Sequence, residues 1–551
     1  MKNCLLVTSL ERAENREDSS VCGVEHAPAI SLGRKIDILG SVMQSVFMNN
    51  DYTDQEKLII ERAPQSWAKE IFSGAQLGDR RKTQRLVKIA SNTMQSPGAS
   101  FVANCNGSLA QIEGTYRWLE NDSINHEEII EAGCRSSARW MDETEEDILA
   151  AADTSKLRYS HSLREELGPL SYGVKGGAGM RGLLAHSTVF QSALTGETVG
   201  LGDQVYWRRE DSEQGKKHKR KQLDYEQKES FKWEYSISRV AERFVDYIKR
   251  IIFVLDRESD IYELLMYLIG NDLRYVVRAS WNRKLPESEQ GIFDRISSSP
   301  LLGKVLISVP QKGGRQHRKT TLEIRSCTLT LSPPIRNNSL PPVQLNVVQA
   351  QENIGEDPIS WILLTSEPVE TLEEVLYVLR CYGLRWKVED FHKVWKTGGT
   401  NVEGLRLQSE GAILRAATVL AFVAVRLAQL RDESEPEVLN ERTKMVILSD
   451  FTKSRNKRKT IKGLSAAKRP CTAILSPLEW QILWLKVEEG KPLPRKPPNR
   501  QWAHTAIGRL VGWYDSKRTG RVGMKTFWKG YRMLQELTNA VTLAQHAGIA
   551  I

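Results

Sequence analysis

Three carboxylates in this sequence have neighbours that suit phosphoryl-transfer chemistry. Asp153 follows the apolar run Ile148-Leu149-Ala150-Ala151-Ala152, and Asp256 follows Ile251-Ile252-Phe253-Val254-Leu255. A residue ending a buried strand of an α/β sheet lies over the carboxyl edge, where sites form. If the two strands are neighbours, both aspartates face one cleft; the plainer reading is that each caps a turn. The third carboxylate, Glu389, belongs to a helical pattern. Tyr382, Arg385, Glu389, His392 and Lys396 recur at intervals of 3, 4, 3 and 4, which is one stripe of an α-helix, while Val388, Phe391 and Trp395 line another side. A solvated face with helix ion pairs accounts for Arg385 and Glu389, but less well for the whole line. Three carboxylates from two strands and a helix are the hard oxygen donors that two Mg²⁺ ions require, with Arg and Lys beside them to hold phosphates.

The elements that must position these residues are legible in outline. Residues from Ser66 read as short helices: Trp67, Ile71 and Phe72 recur at helical spacing, Gly78-Asp79 breaks the pattern, and the cationic run Arg80 to Val87 starts the next helix. Further helices are expected over Gln111–Trp118 and Glu127–Trp140. Strand signals follow, with a Gly-rich turn at Gly173–Gly179, a strand-like stretch from Gly182 to Gly202 and a helix from Phe231 to Arg250 leading into the Asp256 strand. Tyr275–Arg278, Val305–Val309, Thr320–Leu331, Val343–Gln349 and Ser360–Thr365 read as further strands punctuated by Pro and Gly. A long helix over Glu373–Lys396 and an apolar one over Ala412–Leu430 complete the central region. Gly490–Arg500, with Pro492, Pro494, Pro497 and Pro498, reads as a linker, and a last helical segment starts at Trp502.

Composition sets the bounds. The 551 residues carry 78 Lys plus Arg against 68 Asp plus Glu, a net charge of +10, with 40% hydrophobic residues. These values fit a globular chain of several domains and favour a polyanionic partner. Seven cysteines without C-x-x-C spacing argue against a disulfide framework or a structural zinc site. The N-terminus lacks the apolar stretch of a secretory signal, and Ala416–Val425 is too short to span a bilayer, so a cytoplasmic chain without membrane contact is expected. No H-E-x-x-H or P-loop pattern occurs. A G-x-G-x-x-G match at Gly177, Gly179 and Gly182 precedes a strand rather than a helix, so no nucleotide site is assigned.

Asp153-Thr-Ser155, Asp256-Arg-Glu-Ser-Asp260 and the Tyr382/Arg385/Glu389/Lys396 set together resemble the DDE transposases of bacterial insertion sequences that bear the Y-R-E-K signature. The similarity extends to Trp361–Val369, to Trp67-Ala-Lys, to Leu77-Gly-Asp79 with the basic helix after it, and to Trp502–Gly520 with Asp515-Ser-Lys-Arg-Thr519. The resemblance implies an α/β fold: a ribonuclease-H-like core with a β-rich insertion, flanked by helical N-terminal and C-terminal domains. The implied domains are an extension over 1–60, an end-binding helical domain over 61–126, a catalytic domain over 127–436 with its insertion at about 257–372, and a dimerisation domain over 437–551 with a basic linker.

The resemblance further implies cut-and-paste transposition through a DNA hairpin, on paired double-stranded transposon ends and then on target DNA, by a homodimer. Asp153, Asp256 and Glu389 would be catalytic and would hold two Mg²⁺ ions, with Mn²⁺ as a substitute. Tyr382, Arg385 and Lys396 would contact DNA near the cut, Trp361 would stack a flipped base, and Arg278 would lie at the cleft. Arg81, Lys82, Arg85 and Arg117 would bind the transposon end. The basic runs Lys216–Lys221 and Lys453–Lys462 are further candidate DNA contacts. His392 is expected to face DNA or support the site rather than bind Mg²⁺, which prefers oxygen. The competing functions are a metal nuclease without strand transfer and a non-catalytic DNA-binding inhibitor.

Overall fold

The computed structural model describes residues 64–161, 163, 166–171, 180–211, 223–286, 288–309, 318–335, 339–353, 358–434, 446–447, 470–514 and 522–547. The expected extension over 1–60, the turn Gly173–Gly179, the basic runs Lys216–Lys221 and Lys453–Lys462, and Asp515–Thr519 lie outside these residues. The chain divides into two units, Met1–Asp51 with Val541–Ile551, and Tyr52–Ala540. Every residue of the site described below belongs to the second.

Among the described residues five α-helices come first: α1 (Pro64–Phe72), α2 (Arg80–Gln95), α3 (Leu109–Leu119), α4 (His126–Arg135) and α5 (Ser137–Asp142). Their boundaries follow from local chemistry. Gly78 takes a left-handed φ of +76°, which lets the chain turn sharply, and the Asp79 carboxylate then accepts the Arg81 N–H at 2.8 Å to cap α2. Ser108 and Asn125 cap α3 and α4 in the same way. The Trp118 indole N–H donates to the Lys82 carbonyl at 2.9 Å, fixing α3 against the start of α2.

The central feature is an 11-stranded sheet. In chain order its strands are β1 (Ile148–Arg158), β2 (Gly168–Pro169), β3 (Arg181–Ser192), β4 (Thr198–Trp207), β5 (Ile251–Leu255), β6 (Arg274–Arg278), β7 (Leu301–Val309), β8 (Arg318–Leu331), β9 (Val343–Glu352), β10 (Ser360–Thr365) and β11 (Val446–Ile447). The spatial order is β11-β7-β8-β9-β10-β6-β5-β1-β3-β2, with β4 also on β3. Strands β4, β3 and β1 run antiparallel, and β1, β5 and β6 run parallel. That block is the ribonuclease-H-like core of an α/β fold, and β7–β10 extend the same sheet beyond β6 as the β-rich insertion.

The parallel connections carry helices, as crossovers must. Helix α6 (Lys232–Arg243) precedes β5, α7 (Tyr262–Gly270) joins β5 to β6, and α8 (Ile292–Ser297) lies at the start of the insertion. After β10 come α9 (Leu372–Leu384), α10 (Lys387–Lys393) and α11 (Glu410–Ser434), and the C-terminal region holds α12 (Pro477–Val487), α13 (Arg500–Arg509) and α14 (Met524–His546). Both faces of the central strands are covered. Ile251, Phe253 and Leu255 join the core that includes α4, α6, α7 and α11, whereas Ile252, Val254 and Val276 pack with Val375, Val378 and Leu379 of α9. Each such side chain contributes roughly 1.5–3 kcal/mol on burial.

Helix α11 is long and apolar enough to cross a membrane over Glu410–Asp432, but 83% of its most apolar window is buried inside the protein, as a core helix would be. It crosses α4 closely. A Cβ added at Gly133 would meet the Phe422 ring at 2.2 Å, so only glycine fits that crossing.

Four expectations need correction. Asp153 does not end its strand: β1 continues to Arg158 because β3 pairs with it throughout, from Ile148↔Ser192 to Arg158↔Gly182. The Gly182–Gly202 stretch is the β3–β4 hairpin, turned at Gly196 with φ +75°. The Glu373–Lys396 helix is broken: Arg385 and Trp386 separate α9 from α10, and a π-helical turn follows over Val394–Gly398. In the same way, helix α6 ends at Arg243 and a 3₁₀ turn replaces the rest of the expected Phe231–Arg250 helix.

Candidate active site and nucleic-acid interface

Asp153 and Asp256 are brought together by the sheet. The parallel register of β1 and β5 runs to Ala151↔Val254, and two further steps set Asp153 beside Asp256, just past the end of pairing. Side chains alternate along a strand, so Asp256 shares the face of Ile252 and Val254, and Asp153 that of Leu149. That is the face covered by α9.

Burial pushes the Asp153 carboxyl up to about 6; Arg385 opposes the rise, and Asp256 and Glu389 add to it. Asp256 is also raised, again chiefly by burial, against the Glu258 N–H that it accepts at 2.8 Å and the pull of Arg385. Two carboxylates that neighbour each other in a poorly solvated cleft resist ionising together. Arg385 is therefore the central countercharge. One of its nitrogens donates to Glu389 at 2.7 Å, while its buried Nη1 has no hydrogen-bond partner. Among the described residues no group of three His, Cys, Asp or Glu side chains stands ready as a metal cage. The donors are nonetheless the hard oxygens that Mg²⁺ takes, and the mutual repulsion of Asp153, Asp256 and Glu389 is what a bound cation relieves.

Behind Asp153 lies a buried polar chain of which the sequence singled out only His392, as a group that faces DNA or supports the site. Gln204 Nε2 donates to the His186 carbonyl at 3.3 Å, and its Oε1 accepts the Ser187 hydroxyl at 2.7 Å. Ser187 has thus spent its proton and accepts from His392 Nε2 at 3.1 Å. His392 then turns Nδ1 toward Asp153 at 3.9 Å. Burial, then Lys396, push His392 down to about 3, so this contact joins a neutral ring to a carboxyl and is not an ion pair. The bond partners of these groups are remote in sequence, and the pairing that sets Ser187 opposite Asp153 exists only in the folded sheet.

The remaining predicted residues form two groups. Tyr382 is buried and meets the Trp361 ring edge-on, with centroids 5.2 Å apart, and the Arg278 guanidinium lies 6.0 Å from the Tyr382 ring. Arg278 also donates to the Ser360 carbonyl at 3.0 Å. Trp361 is half-buried. Lys396 donates to the Lys156 carbonyl at 2.6 Å and pairs with Glu403 at 3.4 Å, so the π-helical turn after α10 is tied to β1. The expected polar stripe is therefore mostly internal: Tyr382 and His392 are buried, and Arg385 is largely enclosed. The apolar stripe Val388, Phe391 and Trp395 is fully buried, as read.

Helix α10 is pinned from behind by charge. The buried Lys387 ammonium donates to Asp432 at 2.6 Å, Arg431 pairs with Asp432 at 2.9 Å and with Asp390 at 3.1 Å, and Thr198 gives Asp432 two more bonds, at 3.0 and 2.7 Å. Burial pushes Lys387 down to about 8 against the pull of Asp432. Burial also opposes ionised Asp432, but Lys387 and Arg431 hold it well below the usual carboxylate range.

In the N-terminal helices Arg81 and Arg117 are exposed, Lys82 donates to the Ser123 hydroxyl at 2.7 Å, and the Arg85 guanidinium packs over Gly114. A cleft of about 580 Å³ opens on a different face of α2, lined by Arg80, Gln84, Lys88 and Gln95 with Lys69 of α1 and Gln111 of α3. No acid lines it. The spacing of 80, 84 and 88 is a helical stripe present in the sequence, hidden there inside the broader run of cations. Residues 64–124 match the transposase DNA-binding family. The matched segment coincides with α1, α2 and α3, and with all four cations expected to bind an end. The match supports a transposase or DNA-binding role with DNA as the partner.

Proposed function

We propose that this chain is a transposase that cuts and joins its own transposon ends through a DNA hairpin, as a homodimer on two ends. The observation that carries the reading is the apposition of Asp153 and Asp256 on neighbouring parallel strands, with Arg385 acting on both and Glu389 on Asp153, in a chain with a segment that matches the transposase DNA-binding family. Asp153, Asp256 and Glu389 would hold two Mg²⁺ or Mn²⁺ ions, which when bound supply charge stabilisation for in-line displacement at phosphorus.

The protein's own groups then divide the work. Glu389, which would help hold the cation, accepts from Arg385 at 2.7 Å, and that bond keeps the guanidinium beside it. Arg385, with Nη1 already unpartnered, clamps a phosphate oxygen beside the scissile bond. Neutral His392 presents a lone pair toward Asp153 and keeps that carboxylate side of the cleft free of added positive charge. Tyr382 and Arg278 brace Trp361, the stacking surface for a base displaced as the hairpin closes. The exposed cations of α2 and α3 anchor the end, an electrostatic contribution that salt weakens.

The test is an end-joining assay. With a duplex carrying the chain's terminal repeat, Mg²⁺ and supercoiled target plasmid, the wild type is expected to give nicked, hairpin and joined products. Asp153→Ala, Asp256→Ala and Glu389→Ala should each remove all three products and leave end binding within a few-fold. Cleavage without joined product would make the chain a nuclease, and end binding without any cleavage would make it a DNA-binding inhibitor.

A further inference from the structure

The chain has fourteen tryptophans, and thirteen of them are buried or half-buried. The exception is Trp281, 66% exposed. It stands three residues after β6, at the same carboxyl edge as Asp256. The Leu363↔Arg278 pairing continues as an Ala279 N–H bond to the Ile362 carbonyl at 2.8 Å, and one more step sets Ser280 beside Trp361. An exposed indole on a floppy loop would carry little meaning. This loop is fixed. The Asp260 carboxylate, with no exposure of its own, accepts the N–H groups of Ser280 at 2.5 Å and Trp281 at 3.0 Å, and it pairs with Arg283. Arg283 also donates to the Asp260 carbonyl at 2.8 Å, and the Ser280 hydroxyl donates to the Arg257 carbonyl at 2.8 Å, in the turn that begins at Asp256.

We propose that Trp281 is a stacking platform for an unpaired base of the DNA strand at the cleft, held in place by Asp260. A large ring kept in water forgoes the burial free energy that the other thirteen recover, and a buried charged network spent on orienting that ring needs a ligand to account for it. The class of ligand follows from the surroundings. Arg278 supplies positive charge on the preceding strand, the loop is bonded to the turn that begins at Asp256, and every nucleobase offers a flat face to an indole. The last Asp of the Asp256–Asp260 motif thereby gains a role: Asp260 is a positioning residue, and it is spent on the loop rather than on the cleft.

The inference rests on DNA as the substrate of this site, and its test separates the two. The probes are a duplex with a one-nucleotide flap of 2-aminopurine and the same duplex fully paired, both titrated with the full chain. Wild type should bind both and quench the flap fluorescence. Trp281→Ala should lose the quenching and bind the flap duplex roughly ten-fold more weakly, with the paired duplex unchanged, and Trp281→Phe should retain most of the quenching. If wild type binds and quenches and Trp281→Ala does so equally, the stacking role is overturned while DNA remains the substrate. If wild type binds neither duplex, the DNA reading of the site fails, and this inference with it.

Discussion

Asp432 and Asp153 are both carboxylates packed beside α10, yet their surroundings are opposite. Asp432 is met by Lys387, Arg431 and two bonds from Thr198, and its charge is held firmly. Asp153 is met by Asp256 and Glu389, with Arg385 as the countercharge they share, and its proton affinity rises instead. A buried charge with its own partners serves the architecture: here it fixes the helix that carries Glu389. A buried charge crowded by like charges costs stability, and folds retain such an arrangement where it does chemistry. The distinction assigns roles to two acidic groups that the sequence presents alike.

The comparison can be broken most forcefully at Asp432. Asp432→Ala leaves Lys387 and Arg431 buried without their carboxylate and should cost about 3–5 kcal/mol in a denaturant titration. Asp153→Asn should act in the other direction. Its folded-state value of about 6 lies above the ordinary 3.8, so the folded protein binds this proton more tightly than the unfolded chain does. The ionised group therefore costs stability in full above about pH 6, and the cost fades as pH falls toward the ordinary value. Metal-free Asp153→Asn should be more stable than wild type at pH 7.5 by on the order of 2 kcal/mol, with the gap closing below about pH 4. The smallest effect is expected from replacing both members of a pair. Lys387→Met with Asp432→Leu should recover most of the loss, since apolar groups of similar volume can replace a buried ion pair; Arg431 keeps Asp390 as its partner.

The sequence carried much of this. Apolar runs before Asp153 and Asp256 located β1 and β5, and the spacing from Tyr382 to Lys396 identified the helical segments α9 and α10 that bring Tyr382 and Glu389 to them. The errors came where tertiary pairing overrides local pattern. Asp153 to Arg158 looked like a loop because it is polar, but β3 supplies the missing hydrogen-bond partners. The break at Arg385–Trp386 has no Pro to announce it, and Gly383 two residues before it is a single glycine of the kind a helical pattern tolerates. Asp260 could not be read as a loop anchor, because its partners Ser280, Trp281 and Arg283 lie more than a turn of chain away across β6. The cations of α2 were legible as a cluster, but the sequence did not show that Lys82 and Arg85 face α3 and the Ser123 loop while Arg80 and Lys88 line a cleft on another side.

The central claim, that Asp153, Asp256 and Glu389 act jointly on a divalent cation, is tested most directly by calorimetric titration of Mn²⁺ into the protein bound to end DNA. Wild type should show saturable binding, and Asp153→Asn, Asp256→Asn and Glu389→Gln should each abolish most of the heat while the Asp390→Asn control retains it. Binding curves unchanged in all three variants would contradict the account.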